Sequence, residues 1–175
     1  ALDQAKRALR EYALPTRAGR DAIACGLSLG AHVLRERPPS PGAVVSGFWP
    51  LGPEIDIRPL LFALHLRGHP IALPVTPRRG LPLTFRAWRP GMEMITERFG
   101  TARPTGEELV PDYLLVPLLA FDGCCHRLGY GAGYYDRTLA TLPNALAVGC
   151  AFAAQQVDAV PTGPYDMKLH AVATE

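Results

Sequence analysis

The sequence predicts an α/β fold: a single-domain three-layer sandwich around a largely parallel or mixed central sheet. Three observations carry that expectation. Strand-like and helix-like segments alternate along most of the chain, the pattern from which parallel sheets with helical crossovers are built. The segment YLLVP (113–117) is apolar at every position, as strands covered on both faces in mid-sheet are. Gly129, Gly131 and Gly133 then lie between an apolar segment and a helix-compatible run, and α/β proteins open their ligand sites beyond the carboxyl ends of strands.

Taken in order, residues 3–13 read as a basic helix with Leu2, Leu9 and Ala13 loosely on one side. Lys6 and Arg10 lie four apart on one face, a like-charge pair that costs some helix stability unless an anion sits between them. A second helix is expected over 18–35, stopped by Pro38 and Pro39. GAVVSGFW (42–49) reads as a buried strand closed by Pro50. Asp56 is placed to cap a helix over 57–67, with Pro59 in its first turn and Gly68 past its end. HPIALPV (69–75) and PLTFRAW (82–88) read as strands. Segment 90–110, punctuated by proline and glycine, reads as a long functional loop or an edge hairpin. A helix over 132–142, a strand over 145–150 and a short final strand at 171–174 follow the glycine turn. Glu54 then follows one strand and the glycine turn follows another, so both should face one crevice.

Composition narrows the function classes. The 175 residues are one domain's worth, 1–175, with 48% apolar and 19% charged residues, which suits a compact chain rather than a disordered one. The 18 prolines fall mostly between periodic segments and mark rigid turns. A net charge of +2 gives no footing to nucleic-acid or membrane binding. Cys25, Cys124, Cys125 and Cys150 show no C-x-x-C spacing, so free thiols in a reducing, cytoplasmic setting are expected. The longest apolar run, 113–121, falls far short of the ~18 residues of a membrane span. A monomer acting on small molecules is the expectation.

The stretch VPLLAFDGCCHRLGYGAGYYDR (116–137) carries the chemistry. Its G-x-G-x-G spacing is neither a dinucleotide fingerprint, since Tyr134 stands where a further glycine would, nor a P-loop, since no Gly-Lys-Ser/Thr follows. Glycines let backbone N–H groups approach a ligand closely, and a helix N-terminus beyond them favours an anion. Arg127 and Arg137 add positive charge, and Asp136 offers a hard oxygen to a metal. The segment reads as a phosphate cradle.

RLGYGAGYYDR, preceded by VPLLAFD, resembles the motif of the 5-formyltetrahydrofolate cyclo-ligase family, also called 5,10-methenyltetrahydrofolate synthetases. The likeness continues in order along nearly the whole chain. Lys6 and Arg10 match an N-terminal Lys-x-x-x-Arg, and Glu54 in PEIDIRPL matches an acidic segment after the first strand. IALPV (71–75), PLTFRAW (82–88), PDYLLVPLLAFD (111–122), AVGCAFAAQQV (147–157) and the closing AVATE also fit. The resemblance implies ATP-driven cyclisation of 5-formyltetrahydrofolate to 5,10-methenyltetrahydrofolate, with ADP and phosphate released. It implies ATP ligands at Lys6, Arg10, Arg127, Leu128, Gly129, Tyr130, Gly131, Ala132, Gly133, Tyr134 and Tyr135, with Lys6 and Arg127 catalytic. It places folate at Trp49, Glu54, Tyr130 and Tyr134, and Mg²⁺ at Asp136 and at Asp166 of YDMKLH. Leu51, Trp88, Phe99 and Phe85 are further pocket candidates, Phe85 being better read as core.

Three positions depart from the family pattern. His170 stands where Asp is common, Cys125 where Gly is usual, and Ala132 where Gly or Lys is frequent. A sugar-phosphate isomerase or acyl-CoA-transferase relative is the runner-up, on fold analogy alone; Lys6, Arg10 and Asp136 argue against it. A non-catalytic nucleotide- or RNA-binding module would show basic patches interleaved with aromatics, which the charge balance does not favour.

Overall fold

The computed structural model describes residues 1–97 and 100–175. In chain order the strands are β1 (Val45–Ser46), β2 (Ile71–Val75), β3 (Thr84–Trp88), β4 (Met94–Thr96), β5 (Ala102–Pro104), β6 (Glu108–Leu109), β7 (Tyr113–Pro117), β8 (Ala120–Phe121), β9 (Arg127–Leu128), β10 (Leu146–Cys150) and β11 (Ala171–Ala173). The helices are α1 (Leu2–Ala13), α2 (Ala22–Glu36), α3 (Arg58–Leu66) and α4 (Tyr134–Thr141). Seven strands form one sheet in the order β11-β10-β7-β1-β2-β3-β6. The run from β11 to β2 is parallel, and β3 and β6 add antiparallel partners at the far edge. The sheet is therefore mixed with a parallel centre, as expected.

Alternation along the strands builds the layers, because successive side chains point to opposite faces. Tyr113 and Leu115 of β7, Ile71 and Leu73 of β2, and Val148 and Cys150 of β10 share one buried cluster with Leu29 and Val33 of α2 and Leu60, Leu61 and Leu64 of α3. Leu114 and Val116, Ala72 and Ala147 join the other cluster with Leu139 of α4. YLLVP is wholly apolar because both of its faces are covered. Ala13 of α1 packs in a third cluster with Leu119, Ala120 and Leu128, so α1 lies over the β8–β9 hairpin.

Local chemistry sets the boundaries. Asp21 accepts the Ala24 N–H at 3.0 Å and starts α2 at Ala22, later than expected, because a short 3-10 turn (14–17) intervenes after α1. Asp56 is not the cap of α3 as expected: Ile57 is the N-cap and makes no side-chain cap bond, while Asp56, one residue earlier, accepts the Arg58 N–H at 3.0 Å and grips its guanidinium at 2.8 and 2.9 Å. The long strand expected over 42–49 is paired only at Val45 and Ser46. A side chain at Gly47 would collide with Leu61, its Cβ 2.4 Å from Cδ2, so α3 presses on the chain as it leaves the sheet. Segment 90–110 contains an antiparallel hairpin, β4 with β5, before β6 pairs with β3.

Candidate active site

A cavity of about 770 Å³ opens at the carboxyl ends of β1, β2 and β7, the size of a small-molecule site. Phe48, Trp49, Leu51 and Glu54 line it from the segment after β1, and Thr76 from the end of β2. The glycine loop, the first turn of α4, Asp166, and Lys6 and Arg10 of α1 complete the wall. Every residue expected to bind ATP, folate or metal lines this one cavity, and so does Leu51. Trp88 and Phe85 do not: both are buried in the two sheet cores. Phe99 lies outside the described residues.

One local expectation needs correcting. The glycine loop does not follow directly from the strand ending at Pro117; the β8–β9 hairpin intervenes. Asp122 closes that hairpin by accepting the N–H groups of Cys124 and His126, both at 3.0 Å, and of Val160 at 2.9 Å. Cys125 takes a left-handed φ of 66° there, which accounts for glycine being the easier residue at that place. The hairpin carries Arg127 back beneath the loop. Its Nε donates to the Pro117 carbonyl at 2.9 Å, and its guanidinium lies 5.3 Å from the Tyr135 ring centroid.

The three glycines differ in what they permit. Gly131 (φ 110°) and Gly133 (φ 75°) occupy the left-handed region, where a side chain is strained. Gly129 does not; a Cβ there would sit 2.8 Å from an Arg127 nitrogen. That glycine makes room for the buried arginine. Gly133 is also the N-cap of α4, which has no side-chain cap, so the helix presents its N-terminus to the cavity.

Charge is concentrated around this loop. Arg10 Nε donates to the Gly129 carbonyl at 2.9 Å. Lys6 Nζ pairs with Asp166 Oδ2 at 2.5 Å, and the Gly163 N–H donates to the same oxygen at 2.7 Å. Burial alone would raise the Asp166 carboxyl, but the Lys6 hydrogen bond and the Gly163 amide outweigh it and hold the group below its usual range. Burial depresses the Arg127 guanidinium, opposed by Asp136, whose Oδ1 lies 4.0 Å away. Asp136 Oδ1 also accepts the Met167 N–H at 3.0 Å. Arg137 donates to the carbonyls of Ala132 and Leu81, bringing a cation to the place where Ala132 supplies none.

Asp136 and Asp166 each keep one oxygen without a hydrogen bond among the described residues. No group of three or more His, Cys, Asp or Glu side chains with metal-site geometry occurs among those residues. A hard cation on either free oxygen would take its remaining ligands from a bound anion and water. His170 is not part of it: its Nδ1 accepts the Ala147 N–H at 3.0 Å between β10 and β11.

Glu54 is buried, 8% exposed, and accepts the Leu51 N–H and the Tyr130 hydroxyl, each at 2.7 Å. Burial pushes its carboxyl up, and these hydrogen bonds with the Arg17 charge oppose the shift without cancelling it. Trp49 lies beside the Arg58 guanidinium, 5.2 Å from its ring centroid, and meets Trp88 in a tilted contact at 5.9 Å. Tyr134 donates to the Pro77 carbonyl at 3.0 Å.

Phe48 and Arg17 are among the cavity residues that escaped the sequence reading. Phe48 lay inside an assumed strand. Arg17 follows Pro15, which hides the one available sign: Lys6, Arg10, Ala13 and Arg17 recur at four-, three- and four-residue steps, a continuous helical stripe.

A sequence model of the 5-formyltetrahydrofolate cyclo-ligase family matches residues 3–175. Proteins named 5-formyltetrahydrofolate cyclo-ligase are similar in sequence. That of Haemophilus influenzae is 35% identical over 125 residues, 66% of this chain and 67% of the relative. That of Escherichia coli K12 is 35% identical over 130 residues, 69% and 71% respectively. The solution structure of Aquifex aeolicus 5,10-methenyltetrahydrofolate synthetase superposes with a TM-score of 0.79 at 26% identity, covering 96% of this chain and 88% of that one. A 5,10-methenyltetrahydrofolate synthetase from Mycoplasma pneumoniae, 20% identical, shares the fold with a TM-score of 0.77 over 97% of this chain and 98% of its own.

Proposed function

The chain belongs to the 5-formyltetrahydrofolate cyclo-ligase family, and on that premise we propose how its cavity carries out the reaction. The activity is ATP-dependent conversion of 5-formyltetrahydrofolate to 5,10-methenyltetrahydrofolate, with release of ADP and phosphate. A sugar-phosphate isomerase or acyl-CoA-transferase reading finds no support beside the family match.

A formamide carbon is a poor electrophile, and its oxygen leaves badly as hydroxide. Transfer of the γ-phosphoryl group to the formyl oxygen makes the leaving group phosphate. The folate N10 lone pair then attacks the activated carbon within one molecule, a step that gains strongly from proximity. Phosphate departs with the former formyl oxygen, N10 gives up its proton to the departing phosphate, and N5 and N10 become bridged by one carbon.

Phosphoryl transfer asks the protein mainly for position and positive charge. Lys6, Arg10 and Arg127 provide that charge. The loop from Arg127 to Tyr135, including Leu128, Gly129, Tyr130, Gly131, Ala132, Gly133 and Tyr134, forms the rest of the ATP site. Lys6 and Arg127 are the catalytic cations, which would offset charge developing on the transferred group. Trp49, Glu54, Tyr130 and Tyr134 bind folate, with Glu54 accepting hydrogen bonds from the pterin or orienting the formamide. Mg²⁺ held by Asp136 and Asp166 would neutralise phosphate charge. Lys6 is engaged with Asp166 in the structure, so its reach to a phosphate requires that pair to loosen.

The observation that carries this reading is that Lys6, Arg10, Arg127, Asp136, Asp166 and Glu54, spread from residue 6 to residue 166, line one cavity. The test is direct: protein, Mg-ATP and 5-formyltetrahydrofolate are mixed and the absorbance of the methenyl product is followed. ATP-dependent appearance of that absorbance is expected; its absence with folded protein overturns the reading.

We further propose a cytoplasmic monomer made of one domain, 1–175. Four free cysteines among the described residues fit a reducing compartment. No described helix is long and apolar enough to cross a membrane. One sheet joins segments from residue 45 to residue 173.

A further inference from the structure

One buried charge has no place in the scheme above. Arg17 ends the turn after α1 and is only 5% exposed. Among the described residues no carboxylate forms a direct ion pair with it. Its Nη1 donates to the Tyr130 hydroxyl at 2.7 Å, and its guanidinium carbon stands 5.7 Å from that ring's centroid. Its Nε is buried with no partner. A buried guanidinium held this sparingly is expensive to keep for packing alone.

The chemistry of the groups fixes the direction of the contacts. A guanidinium offers five N–H donors and no acceptor, so the Tyr130 oxygen must accept from Arg17. The single Tyr130 proton is then left for Glu54 Oε2, 2.7 Å away. Glu54 Oε1 is fixed separately by the Leu51 N–H. The carboxylate is thus restrained at both oxygens, and one of the two restraints depends on Arg17.

We propose that Arg17 is a positioning residue for folate binding: acting through the Tyr130 hydroxyl, it holds Glu54 oriented and charged. The proposal rests on Glu54 being the folate-contacting carboxylate. Arg17 itself touches neither substrate in this scheme. Without it, the Tyr130 hydroxyl is free to turn away, and burial favours a protonated Glu54 that accepts hydrogen bonds poorly.

The experiment varies each substrate in turn and follows methenyl absorbance, with thermal melts to establish folding. Arg17→Met should raise KM for 5-formyltetrahydrofolate about tenfold, the scale of a lost charge-assisted hydrogen bond, and leave KM for ATP within about twofold. Arg17→Lys, which keeps a charged donor, should fall between wild type and Arg17→Met. Tyr130→Phe cuts the chain at its middle and should raise the same folate KM, and the Arg17→Met/Tyr130→Phe double variant should raise it no further than the worse single.

A folded Arg17→Met with wild-type folate KM, equal loss toward both substrates, or effects that multiply in the double variant would each overturn the proposal. Should Arg17→Met not fold, Tyr130→Phe and Arg17→Lys decide, and an unchanged folate KM in Tyr130→Phe is fatal to it. Inactive wild-type protein would remove the functional reading itself, whereas active wild type with unaffected variants removes only the role of Arg17.

Discussion

At the scale of single residues, Glu54 makes the sharpest claim. Burial raises its carboxyl, and it is the ionised form that accepts hydrogen bonds from substrate. Folate affinity should therefore fall on acidification at a pH above the ordinary glutamate range of about 4.3. A carboxyl whose pKa is raised by folding favours the folded state at acid pH, and that contribution is lost as pH rises through the raised value. Titration of Glu54 thus cannot itself cause acid unfolding over that limb. Titrating 5-formyltetrahydrofolate affinity against pH in wild type and Glu54→Gln checks this: the variant should bind weakly, with the limb gone. Lys6→Ala should weaken ATP use about tenfold or more, by loss of a charge-assisted contact, with folate affinity little changed; equal loss of both contradicts the division of roles. Asp136→Asn should raise the Mg²⁺ concentration needed for half-maximal rate, and an unaltered metal titration would remove it from the cation site.

At the scale of elements, the turn before α3 depends on a close approach. A Cβ on Gly26 of α2 would lie 1.8 Å from the Asp56 carbonyl oxygen, a backbone atom that cannot swing aside. Gly26→Ala should cost about 2 kcal/mol or more, as overpacking does, and lower Tm by roughly 4–8 °C for a chain of this length. Gly19→Ala meets no neighbour within 4 Å, although its φ of 71° still adds strain, so the smaller drop expected there separates strain from collision in a calorimetric comparison. Elements with strong periodicity or clear punctuation were legible in the chain: α1, α3, β2, β3, β7 and β10 lie close to their expected bounds, and α2 differs mainly in its start, displaced by the 3-10 turn before it. Those set by partners were not. Only two residues of GAVVSGFW pair as strand, and Gly47, where the chain leaves the sheet, has no room for a side chain against Leu61. The β8–β9 hairpin was hidden inside one apolar run, since Leu118 to Phe121 look the same whether the strand continues or turns back. The place of the glycine loop on the cavity wall was legible because glycine spacing and flanking charge are local. Arg17 was not, because its role depends on Tyr130, 113 residues away in sequence, and through it on Glu54.

At the scale of the whole molecule, cations from α1, a carboxylate from the β1–α3 connection and the glycine loop converge only when the sheet is complete. Binding and folding should therefore be linked: Mg-ATP should raise Tm in a concentration-dependent way, following mass action. A melt that does not respond to nucleotide would contradict a nucleotide site in this cavity. Light scattering on a sizing column should return one 18.9 kDa chain, and a dimer mass would end the monomer proposal. The order of the sheet has a further consequence for biosynthesis. β1 lies between β2 and β7, so one of its neighbours is made soon after it and the other only when Pro117 has been added. At about 5–20 residues per second, a ribosome holds the nascent β1–β2 pair with an open apolar edge for several seconds. Early-binding chaperones should therefore engage this chain before, and not after, the β7 segment emerges.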